Sequence, residues 1–141
     1  RPMPTADELN LFLDRDFPQN KCRVLRCGDM TATVRRPITH ADLRPGDTVS
    51  GPVMMEVADS ALYLALLAVI GIEPMAVTAT LTINYLRKPS YARDLIGECR
   101  LLKVGRTLAT GEVTVYSEGE PAPVAHATGT YALPRTRRTA D

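Results

Sequence analysis

The chain has 141 residues, 45% of them hydrophobic, and a net charge of +1. That is one domain's worth of sequence with an ordinary globular composition, long enough to bury roughly two thirds of its unfolded surface without staples. The small charge excludes a general basic field for nucleic acid. Three cysteines with no C-x-x-C pair, far in sequence from both histidines, argue against zinc and for reduced thiols in a cytoplasmic protein.

The start, Arg1-Pro2-Met3-Pro4, has no charged stretch leading into an apolar one, so no signal peptide is predicted. Thr5-Ala6-Asp7-Glu8 forms a capping box, and Leu9, Leu11, Phe12 and Leu13 continue it as a short amphipathic helix over about residues 5–16, ending near Phe17-Pro18. Residues 21–37 read as strand broken at Cys27-Gly28-Asp29, with Met30–Arg36 alternating as a half-exposed strand. Residues 38–49, with Pro45 and Gly46, read as loop.

A nearly apolar run then extends from Gly51 to Gly71. Pro52 suits a first helical turn, and Gly71 a helix end. Its length approaches a bilayer span. Glu56 and Asp59 argue against one, since an acid at a membrane-helix centre costs roughly 2.5–3.5 kcal/mol. No membrane association is therefore expected. Four strands follow, over 76–87, 94–104, 107–117 and 123–133, with Gly105-Arg106 as a hairpin turn. The gaps are too short for crossover helices, so the sheet should be mostly antiparallel. Residues 135–141 read as a short basic tail without order. The expected architecture is one α+β domain over residues 1–134, a long helix held by one curled sheet, with a partner subunit covering the remainder.

The order of elements resembles the hotdog fold. Gly51 with Ala58-Asp59-Ser60-Ala61, then the run from Thr78 to Arg87-Lys88-Pro89, then Gly105-Arg106-Thr107-Leu108-Ala109 resemble the PaaI-like acyl-CoA thioesterases over roughly residues 20–133. The resemblance implies hydrolysis of an acyl-CoA by a dimer or a dimer of dimers. Coenzyme A would enter only as part of the substrate, with no separate cofactor and no metal. It implies that the Gly51 N–H polarises the thioester carbonyl, that Asp59 of the facing subunit activates water or attacks directly, and that Thr78 helps to hold the water. Arg87, Lys88, Pro89, Arg106 and Thr107 fall where such enzymes meet coenzyme A. Val53, Met54, Glu56, Tyr63 and Asn84 complete the candidate substrate contacts. Ser50-Gly51-Pro52 stands where His-Gly-Gly is usual, and Pro52 has no N–H to donate. Arg44 stands near the position where some relatives carry Asn or Gln.

The residue chemistry agrees with this reading. A helix N-terminus offers free N–H groups and partial positive charge, a preorganised oxyanion site. A carboxylate two turns into an apolar helix is too deep to be a cap. It is either a base or nucleophile, or an acid paired across an interface. Glu56 is one turn earlier on nearly the same side, where it can favour the helix N-terminus, pair at an interface, or serve as the acid of a hydratase, although the His-Phe-Pro-Gly type loop of hotdog dehydratases is absent. A non-catalytic acyl-CoA binder or structural module is the alternative to an enzyme.

Overall fold

In the computed structural model, residues 2–134 are described; the predicted basic tail lies outside them. The chain runs α1 (Ala6–Asp16), β1 (Arg23–Gly28), β2 (Thr31–Arg36), a 3-10 turn (His40–Asp42), β3 (Leu43–Arg44), β4 (Thr48–Val49), α2 (Gly51–Ile70), β5 (Val77–Tyr85), β6 (Leu95–Val104), β7 (Leu108–Ser117) and β8 (Pro123–Ala132). Thr5 caps α1 as its sequence predicts: Thr5 Oγ1 accepts from the Glu8 N–H at 3.2 Å, and Glu8 Oε1 accepts from the Thr5 N–H at 3.0 Å. Such a cap is worth about 1 kcal/mol. Asp29 and Met30 both take positive φ, 53° and 66°, as a tight β1–β2 turn requires.

Six strands form one antiparallel sheet in the order β1-β2-β6-β7-β8-β5. After the exposed Leu108, β7 alternates buried and half-buried residues, so one face points to the core and the other outward. The sheet curls around α2, which packs against β1, β2, β5, β6, β7 and β8. This helix is long and apolar enough to cross a bilayer by length and composition, yet 72% of that stretch is buried inside the fold. Leu62, Leu64, Leu66 and Leu67 are fully or almost fully enclosed, each worth roughly 1.5–3 kcal/mol of burial. Close approach of helix and sheet is possible because Gly97, Gly111 and Gly129 carry no side chain where α2 crosses them. A Cβ at Gly97 would lie 2.7 Å from Val57, and one at Gly129 would lie 2.7 Å from Leu62. α2 ends at Gly71, whose φ of 95° closes the last turn.

Two expectations need correction. The segment 38–49 is not simple loop: it folds into the 3-10 turn and the short β3–β4 hairpin, elements too brief to leave a periodic signal. β2 is not half-exposed, because β1 and β6 flank it and α2 packs against it; Ala32, Thr33, Val34 and Arg36 are all buried.

Candidate active site

The sheet leaves one stripe of α2 uncovered. Pro52 and Met55 are exposed, and Glu56 and Asp59 are half-buried, spaced as one helical face. At the lower end of this stripe, the Asp59 carboxylate is held from the sheet. Thr78 Oγ1 donates to Asp59 Oδ1 at 2.7 Å, and the Tyr131 hydroxyl donates to the same oxygen at 2.8 Å. The same hydroxyl also lies 3.1 Å from the Asp59 backbone carbonyl. Among the described residues no donor reaches Oδ2, which is therefore open to a water or a substrate atom.

Both hydroxyls reach Asp59 for a reason of register. Thr78 and Tyr131 are cross-strand partners on β5 and β8. Plain alternation would put Thr78 on the same side as Thr80 and Thr82, which pair with Thr130 and Thr128 on the outer face. A register shift between Thr78 and Thr80 breaks that alternation and turns Thr78 inward. Burial, and next the charge of Asp59, push the Tyr131 phenol far above its ordinary value, so it remains a neutral donor.

A cleft of about 960 Å³ opens beside the carboxylate. Its walls include Glu56, Tyr63, Thr78 and Tyr131, together with Phe12 and Phe17 from the α1 region. Tyr63 is buried and anchored by its hydroxyl to the Pro74 carbonyl at 3.2 Å.

The start of α2 forms a separate locality. The Gly51 N–H has no acceptor among the described residues. The Tyr85 hydroxyl donates to the Gly51 carbonyl at 3.1 Å. Arg44, Met54, Tyr85, Arg87, Lys88 and Pro89 surround a smaller cavity of about 300 Å³ against Gly51. Eight residues at about 1.5 Å rise separate Gly51 from Asp59 by roughly 12 Å along the helix, so a single carbonyl cannot touch both within one chain.

The remaining sequence candidates divide between these localities or leave the site. The register Leu108↔Ala132↔Val77 sets the turn carrying Arg106 and Thr107 at the Thr78 end of the sheet, away from Arg87 and Lys88. Val53 packs in the core. Asn84 pairs with His126, and it shares the outer face on which His126 bonds Glu112 at 2.9 Å, so it points away from the helix and lines neither cavity.

Glu56 lines the cleft but is bound from behind by Arg36. Arg36 Nε lies 3.0 Å from Glu56 Oε2, and its Nη1 and Nη2 lie 2.9 and 3.0 Å from the two Asp42 oxygens. Arg36 is only 2% exposed. Hydrogen bonds from Arg36 hold the Asp42 carboxyl below the ordinary carboxylate range, against the opposing effect of burial. The Asp42 carbonyl in turn accepts from the Ser50 N–H at 3.0 Å, so this cluster fixes the residue that precedes Gly51. The thiols offer no competing nucleophile near these groups: burial pushes Cys22 up to about 11 and Cys99 up to about 12.

Sequence reasoning missed Tyr131 and Arg36. A tyrosine in an alternating strand looks like packing, and Arg36 looks like a solvated strand end. The one hint for Arg36 was that two acids, Asp42 and Glu56, follow it in segments expected to pack near the helix start.

One long helix wrapped by a curved antiparallel sheet defines a hotdog-fold protein. The thioesterase superfamily model matches residues 46–123, and the chain belongs to that superfamily. A candidate thioesterase from Silicibacter sp. is 41% identical and superposes with a TM-score of 0.84 over 95% of this chain and 96% of its own. A variant of the phenylacetic acid degradation protein PaaI from Thermus thermophilus is 26% identical, with a TM-score of 0.71 over 88% of this chain and 99% of its own. A thioesterase-type protein from Streptococcus pneumoniae, solved with coenzyme A, shares the fold at 20% identity, with a TM-score of 0.72 over 80% of this chain and 85% of its own. No curated protein matches the chain.

Proposed function

We propose that the protein hydrolyses acyl-CoA thioesters in sites shared between two copies. The observation that carries this is the Asp59 carboxylate, fixed through one oxygen by Thr78 and Tyr131, with its other oxygen open to a large cleft. A thioester already has a good leaving group. It needs a polarised carbonyl and a water or carboxylate aimed at it. Asp59 Oδ2 takes a proton from water as the hydroxyl adds to the carbonyl carbon, or attacks that carbon directly. The oxyanion is met by a Gly51 N–H at the positive end of α2. Collapse expels the thiolate of coenzyme A, which takes up the proton that Asp59 drew from the water. In the direct-attack route the thiolate takes its proton from solvent, and water then hydrolyses the acyl–Asp59 anhydride to release the acid and restore the carboxylate.

The second copy supplies the Gly51 that one chain cannot bring to its own Asp59. β5 is a sheet edge, with Val77 and Tyr85 exposed at its two ends. Thr78 touches Asp59 near one end of it, and Tyr85 touches Gly51 at the other. An antiparallel pairing of β5 with its copy, about a two-fold axis passing near Met55 and between Leu81 and Thr82, sets Asp59 beside Gly51 of the partner subunit. The same axis brings the Arg106 turn toward the partner's Arg87 and Lys88, collecting cations suited to the phosphates of coenzyme A. Sedimentation equilibrium should therefore give twice the 15.4 kDa chain mass or a multiple of it. A purely monomeric species that still turned over would exclude the shared site.

Release of thiol from a panel of acyl-CoAs, followed with a thiol reagent, tests the activity; no release from any acyl group would sink it. The loss of one N–H donor at Pro52 favours a second reading, a binder without turnover. Tight acyl-CoA binding with no thiol released would select that reading. Tyr131→Phe keeps the ring and removes only the hydroxyl. Losing a hydrogen bond to a charged group is expected to lower kcat about tenfold with little change in KM. An unchanged kcat would show that Thr78 alone aligns Asp59.

A further inference from the structure

The hydrolase reading leaves one wall of the large cleft without a role. That wall comes from α1 and the segment after it, which precede the stretch matched by the superfamily model. Its rings join the catalytic end through a chain of tilted and edge-on ring contacts. Tyr131, whose hydroxyl binds Asp59, lies 6.0 Å from Tyr63 between ring centroids. Tyr63 then meets Phe12 at 6.4 Å and Phe17 edge-on at 6.1 Å. Phe12 is 5% exposed, and Phe17 is at the rim with 36% exposure.

This wall is firmly placed. The Asn10 side chain bonds the Val24 C=O at 2.9 Å and the Val24 N–H at 2.8 Å, docking α1 on the edge strand β1. Asp14 and Arg23 form an ion pair at 2.6 Å beside it. Phe17 then ends the helix ahead of Pro18, with backbone angles that leave the helical region. Next to Phe17 the cleft is also lined by Asp16 and Gln19, both exposed. An apolar tail reaching past Phe17 therefore exchanges aromatic cover for a carboxylate and an amide.

We propose that Phe17, backed by Phe12, closes the acyl end of the cleft and sets the upper size of the acyl group, so that α1 is the specificity element of this enzyme. This rests on the hydrolase reading. The carboxylate end of the cleft performs the reaction, and the α1 end sorts substrates by length, with Tyr63 and Tyr131 as the walls between. Phe17 touches neither Asp59 nor the Gly51 cavity, so its removal alters which tails fit and not the reacting atoms.

The test compares parent, Phe17→Ala and Phe17→Leu on acetyl-, butanoyl-, octanoyl- and hexadecanoyl-CoA. kcat/KM is measured for each, alongside Kd for the matching non-hydrolysable thioethers. Phe17→Ala should raise the longer-to-shorter ratio of kcat/KM and of affinity at least about tenfold, the discrimination that one or two methylenes give in an apolar pocket. The change should appear in KM, Phe17→Leu should fall between, and acetyl-CoA should be unaffected. Phe17 is partly exposed, so the variants should melt close to the parent. A uniform change across all chain lengths, or none, overturns the proposal. If the parent releases no thiol, the hydrolase reading fails by itself, and the thioether affinities still decide whether Phe17 sorts acyl tails.

Discussion

Replacing Asp59 with Asn should lower kcat for the best acyl-CoA by about a thousandfold and leave the fold in place. The amide oxygen can still accept from Thr78 and Tyr131, which reach Oδ1 at 2.7 and 2.8 Å, so the side chain keeps its position. What disappears is the ability to take a proton or to attack. Positioned general bases contribute roughly 10²–10⁴-fold, and the variant retains only the oxyanion donor and substrate binding. Steady-state kinetics on matched preparations, with melting temperature as the control for folding, measure the effect. A variant as active as the parent would remove Asp59 from the chemistry and turn the carboxylate into an interface acid.

The second large effect concerns stability. Arg36→Met should destabilise the protein by about 3–5 kcal/mol, because it strands buried Asp42 and leaves Glu56 without its counter-ion. Urea unfolding of parent and variant measures this. Adding Asp42→Asn to the variant should recover part of the loss, since the uncompensated buried charge is then gone. A loss under about 1 kcal/mol would mean that the cluster is solvated and weak. The parent should also show a matching acid limb. The Asp42 carboxyl is lower when folded than when unfolded, chiefly through its hydrogen bonds to Arg36. Its contribution is therefore fully present above the unfolded value of about 3.9 and is lost as pH falls through the lower folded value. Arg36→Met should flatten that limb.

The long helix was legible because its cues are local: an apolar run, Pro52 in the first turn and Gly71 at the end. The four later strands were legible from alternation and short turns, and their observed bounds differ from the sequence reading by a residue or two. Asp59 stood out because an acid two turns into an apolar helix needs a reason, and Gly51 through the resemblance of its spacing from that acid. What could not be read was everything that register decides. No local signal announces the shift between Thr78 and Thr80, yet that single irregularity turns Thr78 toward Asp59 and makes Tyr131 its neighbour. Asn84 is a different case: it alternates with Leu81 and Ile83 on the same side as Thr80 and Thr82, so plain alternation already sets it on the outer face, and only the resemblance had brought it to the substrate. Arg36 was hidden because its burial depends on β1, β6 and α2 closing around β2, which are contacts distant in sequence.

In the proposed dimer each site takes Gly51 from one copy and Asp59 from the other, and separating the two lesions tests this. Two tagged chains, one carrying Asp59→Asn and the other Gly51→Pro, can be coexpressed and their heterodimer isolated by successive affinity steps. Gly51→Pro deletes the free N–H at a helix position that tolerates proline, although the Tyr85 ring, 3.3 Å from a Cβ there, must yield by a few tenths of an ångström. In a shared arrangement the heterodimer contains one site with both groups intact, and it should turn over about half as fast as the parent dimer, while each homodimeric variant stays nearly inactive. A heterodimer as inactive as the two variant homodimers would place Gly51 and Asp59 of one chain in the same site and overturn the shared arrangement.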